Sequence, residues 1–159
     1  MPLSSVLRRL ETKLPPLLLV LALAALAWLL AWQWPALNLR FAGQRWFALG
    51  LAVLAAAIAL AGVRAFRQHG TTVDPTRPEH SSAVVSSGIY RFTRNPMYLG
   101  FGLGLTAWVI ALGNAAAALL IPVYVAYMVR FQIRPEEAAL HAKFGEPFLA
   151  YMRRVRRWL

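Results

Sequence analysis

Residues 97–129 read MYLGFGLGLTAWVIALGNAAAALLIPVYVAYMV, 33 consecutive positions without a charged side chain. About 20 apolar residues cross a bilayer as a helix, so this run is too long for one straight crossing. Gly113-Asn114 lies near its middle, and that pair favours a turn. The run is therefore expected to be a tight hairpin of two helices, 97–112 and 115–130. Two further charge-free runs precede it: Leu14 to Trp34, of 21 residues, and Trp46 to Val63, of 18. The expected fold class is all-α integral membrane, with four transmembrane helices and amphipathic C-terminal helices on the cytoplasmic side.

Composition agrees. Hydrophobic residues make up 59% of the 159 positions and charged residues 14%, against ~25% charged in an average soluble protein. A soluble core this small cannot bury that much apolar side chain, and the hydrophobicity excludes intrinsic disorder. The absence of cysteine excludes disulfide frameworks, thiolate zinc sites and cysteine nucleophiles. His69, His80 and His141 are scattered without ligand spacing and read as ordinary surface histidines, so no metal is expected.

A net charge of +11 raises the question of nucleic acid, and the location of the charges answers it. Arg8, Arg9 and Lys13 precede the first run, and only Arg40 and Arg45 lie between the first two. Arg64, Arg67, Arg77, Arg91 and Arg94 lie between the second and third, and seven more follow from Arg130 to Arg157. With both termini in the cytoplasm, 15 of the 17 basic residues are cytoplasmic, as the positive-inside rule requires. Topology thus accounts for the charge, and the partner it implies is a lipid bilayer, the inner (cytoplasmic) membrane, rather than nucleic acid. Trp28, Trp32, Trp34, Trp46 and Phe47 cluster at the outer ends of the first two spans as an aromatic belt. The basic start fits a signal peptide, but the apolar stretch is longer than a signal core and more spans follow, so a retained span is expected.

Two polar segments remain, 64–96 and 130–159, and chemistry is expected there. Asn95-Pro96 reads as a helix start, Asn as N-cap and Pro at the first helical position. Arg91 and Arg94 sit just before it, so an anionic group would be held well at that helix end. Tyr98 falls in the first turn. Gly100 and Gly104, one turn apart, allow a helix or a ligand to approach the backbone; an intramolecular contact is favoured, and a monomer or weak homodimer is expected. The same residues also serve a plain membrane helix, with Arg94 reaching headgroups. Arg130, Arg134 and Glu137 fall at i, i+4 and i+7, one face of a helix running through Pro135. Glu136 and Glu137 are therefore either partners of those arginines, ligands for a cationic or polyhydroxylated group, or a base. Phe148, Tyr151, Met152 and Val155 line one side of a final helix whose other faces carry Arg153, Arg154, Arg156 and Arg157. That pattern is expected to dock on an anionic leaflet, with a lid over a site as the alternative.

Ser87-Gly88-Ile89-Tyr90 followed by Thr93-Arg94-Asn95-Pro96-Met97-Tyr98-Leu99-Gly100 resembles the Arg-His-Pro-x-Tyr-x-Gly motif of the isoprenylcysteine carboxyl methyltransferases. Glu136-Glu137-x-x-Leu140-x-x-x-Phe144-Gly145, then Tyr151 and Val155, is similar to that family's Glu-Glu tail, which the phospholipid N-methyltransferases share. The resemblance covers roughly residues 70–157. It implies a membrane enzyme that uses S-adenosylmethionine and yields S-adenosylhomocysteine, with residues 1–66 as a two-helix anchor and 67–159 as the cofactor-binding core. Carried over, Arg94, Asn95, Pro96, Tyr98 and Gly100 build the cofactor site with Glu136 and Glu137 opposite. Two departures stand out. Asn95 occupies the place of the family's His and cannot act as a base. The chain also lacks the proline-containing tail that follows the corresponding Val in the eukaryotic enzymes, which weakens prenylated protein termini as the substrate.

The activity implied is methyl transfer to an amphipathic isoprenoid or lipid acceptor on O, S or N. Glu137 is the expected base where the acceptor needs one, and Arg130 or Arg134 would orient an anionic acceptor. The alternative is a non-catalytic scaffold that keeps the fold. A nicotinamide-dependent reductase on a similar helical core is disfavoured by the short chain.

Overall fold

The computed structural model describes residues 14–68 and 84–159. The basic N-terminal residues Arg8, Arg9 and Lys13, and the segment holding His69, Arg77 and His80, lie outside the described residues. The described chain is helical, without a named strand. Helix α1 spans Pro16–Gln33, α2 Gln44–Gln68 and α3 Pro96–Leu112. A continuous helical run, α4, spans Ala115–Phe144, and α5 spans Glu146–Arg154. Three of these, α1, α2 and α4, are long and apolar enough to cross a membrane, while α3 is a shorter apolar helix of 17 residues.

The helix ends follow local chemistry. Prolines open α1 and α3, where a missing N–H costs nothing. Gly113, at φ +67°, ends α3 in the left-handed conformation that glycine adopts without strain. Asn114 then caps α4, its side chain accepting from Ala117 N at 3.1 Å. The amide of Asn114, 2% exposed, also donates to Trp34 O and to Asn38 Oδ1. Gln44 donates to Ile110 O across the same end. The loop between α1 and α2 is thereby fastened to the turn between α3 and α4, and these side chains supply the partners that a buried turn requires.

Leu19, Leu23 and Ala27 of α1 pack with Leu105 and Val109 of α3 and with Leu120, Tyr124 and Met128 of α4. Leu17, Leu21, Val53, Leu60 and the tryptophans Trp28, Trp32, Trp34 and Trp46 face outward. An exposed apolar surface this extensive suits hydrocarbon, not water. The tightest contact joins α2 to α3. A Cβ on Gly100 would stand 2.7 Å from Ala55 O and 2.8 Å from Ala59 Cβ, so this glycine serves an intramolecular approach. One on Gly104 would meet only Ala55 Cβ at 4.0 Å.

Gly100→Ala should therefore destabilise the protein in detergent by about 1–3 kcal/mol through overpacking. Gly104→Ala should be neutral or stabilising, by up to about 1 kcal/mol of helix propensity. Thermal unfolding of the two variants beside wild type checks the contrast.

Candidate functional site

At the end of the bundle opposite the Gly113 turn, α2 finishes, α3 begins and α4 leaves its apolar part. There α4 departs from α-helical register. Met128–Ile133 form a turn of π-helix, with i to i+5 bonding that lets one extra residue into the turn. The consequence is a rotation of everything downstream. Arg130 and Arg134, expected on one face with Glu137, are carried away from it. Arg134 is exposed, and Arg130 lies over the ring of Phe131 at 5.2 Å. Glu136 and Glu137 turn inward instead.

The two adjacent carboxylates meet opposite environments. Glu137 Oε1 accepts from Arg94 at 2.7 Å, and its Oε2 accepts from Arg157 at 2.6 Å. Glu136 Oε2 accepts from the Tyr98 hydroxyl at 3.0 Å and pairs with neither arginine. Both residues lie beyond the charge-free part of α4, which ends at Val129. Burial pushes the Glu136 carboxyl up to about 7, opposed by the Tyr98 hydrogen bond and assisted by the neighbouring Glu137 charge. Burial acts on Glu137 too, but hydrogen bonds and charge from Arg157 and Arg94 overcome it and hold the carboxyl below its ordinary value. Burial raises Tyr90 and Tyr151 above the ordinary phenol range, so both are neutral donors.

The C-terminal tail completes the arrangement. Arg94 N donates to Arg156 O at 3.0 Å, and Thr93 Oγ1 and Asn95 Nδ2 both donate to Arg157 O. The Arg94 guanidinium donates to Met152 O at 3.1 Å and to Val155 O. Its Nε is buried and has no partner among the described residues. Asn95 stands at the N-cap of α3 but makes no side-chain cap bond, because its amide is committed to Arg157 O. The apolar face of α5 is used here as well. Phe148, Tyr151 and Val155 pack on Ala65 of α2, Val85 and Tyr90, and Tyr151 donates to Tyr90 O at 2.8 Å. That face, expected on the bilayer, is spent on a wall of the site; Arg153 and Arg154 remain exposed.

These elements line a cavity whose space, its open mouth included, is about 680 Å³. Arg94, Asn95, Tyr98, Glu136 and Glu137 line it, with Tyr90, Phe66 and Phe148 among its aromatic walls. Pro96 and Gly100 do not. Pro96 lies 3.2 Å from where a Cβ on Gly62 would stand, and both residues face α2. Arg130 and Arg134 are also absent from the lining. Among the described residues no group of three His, Asp or Glu side chains could hold a metal ion. The residue that sequence reasoning missed is Arg157, one of four arginines in a basic tail with nothing to mark it out.

The phospholipid methyltransferase model matches residues 43–147, about two thirds of the chain and all of α3 and α4. The chain belongs to the phospholipid methyltransferase family. It is also 43% identical over 63 residues to an uncharacterised protein of Haemophilus influenzae, covering 40% of this chain and all of that one. A protein-S-isoprenylcysteine O-methyltransferase of Schizosaccharomyces pombe is 32% identical over 72 residues, 45% of this chain but only 30% of that enzyme. No solved structure matches the chain. For this methyltransferase-family chain, membership and the apolar helices together make it a membrane protein.

Removing the Glu137 charge tests the tail contacts. Glu137→Gln should lower stability by roughly 1–3 kcal/mol. The figure is below that of a fully buried pair because the Arg157 side chain is 31% exposed. Glu137 is held below its ordinary value of 4.5, so its contribution is present above about pH 4.5 and is lost as pH falls through its folded-state value. Thermal unfolding at neutral and at acid pH should show the gap between wild type and Glu137→Gln closing in acid.

Proposed function

We propose that this chain is an integral-membrane methyltransferase. It takes its methyl group from S-adenosylmethionine and delivers it to an amphipathic isoprenoid or lipid acceptor on O, S or N. The observation that carries the reading is the convergence of Arg94, Asn95 and Tyr98 with Glu136 and Glu137 in one cavity, inside the stretch that matches the family model.

The residues present fit the cofactor. The unpartnered, buried Nε of Arg94 is a charged donor awaiting an acceptor, which a carboxylate supplies. Among the described residues Glu136 has no cation partner, and its carboxylate suits a positive or hydroxylated group. Phe66, Val85 and Phe148 offer apolar surface for a flat heterocycle. When bound, the cofactor supplies an activated methyl group on a sulfonium. The chain's own part is to hold and orient it and to keep water out, which suffices for large rate gains when the activation is built in. Glu137, already paired with two arginines, positions Arg94 and is a poor base; Glu136 is the carboxylate left to take a proton from an amine or thiol. Arg130 and Arg134 do not line the cavity; in this reading their part is to orient an anionic acceptor at the membrane surface.

The proposed placement has four crossings, α1, α2, α3 and the apolar part of α4, the last two as a hairpin, with both termini cytoplasmic. The 17 residues of α3 reach the lower limit of about 17 for a crossing helix. Residues 1–66 act as the anchor and 67–159 as the core, α2 lending Phe66 to the cavity wall.

One observation favours a non-catalytic scaffold instead: the side chains of Asn95 and Glu137 are committed to the chain's own tail. Calorimetric titration of the detergent-purified protein with S-adenosylhomocysteine separates the two. Micromolar binding, weakened at least tenfold in Tyr98→Phe and in a folded Glu137→Gln, supports the methyltransferase. It then justifies a radiolabelled-methyl screen of membrane lipids and isoprenoid thiols and acids. No binding by folded wild type leaves the scaffold.

A further inference from the structure

Among the described residues the cavity lining carries two carboxylates and the Arg94 guanidinium, and Arg157 reaches one of those carboxylates from the tail, so charges do not pair off evenly. Both arginines, Arg94 and Arg157, are bound to Glu137. Among the described residues Glu136 has the Tyr98 hydroxyl as its donor and no arginine. Around it stand Tyr98 from α3, Tyr90 from the turn before α3, Tyr151 from α5, and Glu137 on its own helix, with Arg94 facing the other carboxylate. An uncompensated carboxylate among aromatic rings is costly to keep ionised, and burial holds it near half-protonation at neutral pH. A cation in the cavity would therefore be offset best beside Glu136.

We infer that Glu136 is the subsite for the cofactor's sulfonium, holding that cation against its unpaired carboxylate in the part of the cavity it shares with Tyr90 and Tyr98. The inference rests on the cofactor reading above. Two positive groups compete for this position, the sulfonium and the α-ammonium. An ammonium needs several hydrogen-bond acceptors, and it shares a carbon with the carboxylate that Arg94 would take. A sulfonium donates no hydrogen bond and is satisfied by charge and aromatic faces. Tyr90, Tyr98 and Tyr151 give the surroundings of Glu136 aromatic faces, which suit the sulfonium.

The consequence is a coupled proton. Binding a sulfonium fixes Glu136 in its ionised form, so the protonated fraction releases its proton to solvent. Methyl transfer turns the sulfonium into a neutral thioether; Glu136 is then uncompensated again and regains a proton, which loosens the product relative to the cofactor.

The test is calorimetry of the whole protein in detergent, in two buffers of different ionisation enthalpy, with S-adenosylmethionine and S-adenosylhomocysteine as probes. At pH 7 the first should release about half a proton per site and the second close to none. Between pH 6 and pH 8 affinity for S-adenosylmethionine should rise about tenfold while that for S-adenosylhomocysteine stays level. Glu136→Gln should abolish the difference. Tyr98→Phe, which keeps the carboxylate and removes its donor, should move the proton release to higher pH. Equal proton release by both probes would overturn the inference in favour of the ammonium; binding of both with no release from wild type would overturn it by removing any cation from Glu136. Binding of neither probe would instead overturn the cofactor reading, and this inference with it.

Discussion

A single carboxylate joins the three parts of the chain that make the site. Glu137, on α4, takes Arg94 from the start of α3 and Arg157 from the C-terminal tail. Without that pairing the two guanidiniums would share a confined space with nothing to offset their repulsion. With it, the tail lies across residues 93–95 and closes its backbone bonds there, α5 is drawn in, and its apolar face is buried on the inner end of α2. The π turn at Met128–Ile133 is the precondition. It re-aims the glutamates from a surface arginine stripe to the bundle's interior end, a use to which such turns are commonly put.

The neighbouring carboxylate shows the same turn acting in the opposite sense. Glu136 and Glu137 are adjacent, yet among the described residues Glu137 has two cations and Glu136 none. Pairs of titratable groups pushed apart by environment mark places where charge can be created or moved. Both line the cavity, Glu137 tied to two arginines and Glu136 to the Tyr98 hydroxyl. Spacing alone leaves the roles of the two carboxylates open; their environments are what distinguish them.

Much of the fold was legible in the sequence. Charge-free runs of membrane length announce α1 and α2. Gly113-Asn114 announces the break between α3 and α4, because glycine alone adopts the required φ freely and Asn caps the start of α4. The motif residues Arg94, Asn95 and Tyr98 were legible as a group near a helix start. The direction of the glutamates was not, since a π turn has no residue signature and a straight helical wheel puts Glu137 with Arg130 and Arg134. Arg157 was illegible for a different reason. Its partner is 20 positions away, and four similar arginines within five residues offer no pattern by which to choose one. The amphipathic face of α5 was plain, but periodicity says only that a face is buried, not whether lipid or protein covers it. Pro96 and Gly100 belong to the motif in sequence and to the α2 contact in space.

The central claim is the location of the site. Hydrogen–deuterium exchange of the detergent-purified protein, with and without S-adenosylhomocysteine, tests it most directly. The account predicts added protection at residues 84–98 and 133–157, and none at the opposite end around residues 34–44 and 110–118. Protection confined to that opposite end, or binding without protection of either motif segment, would contradict it.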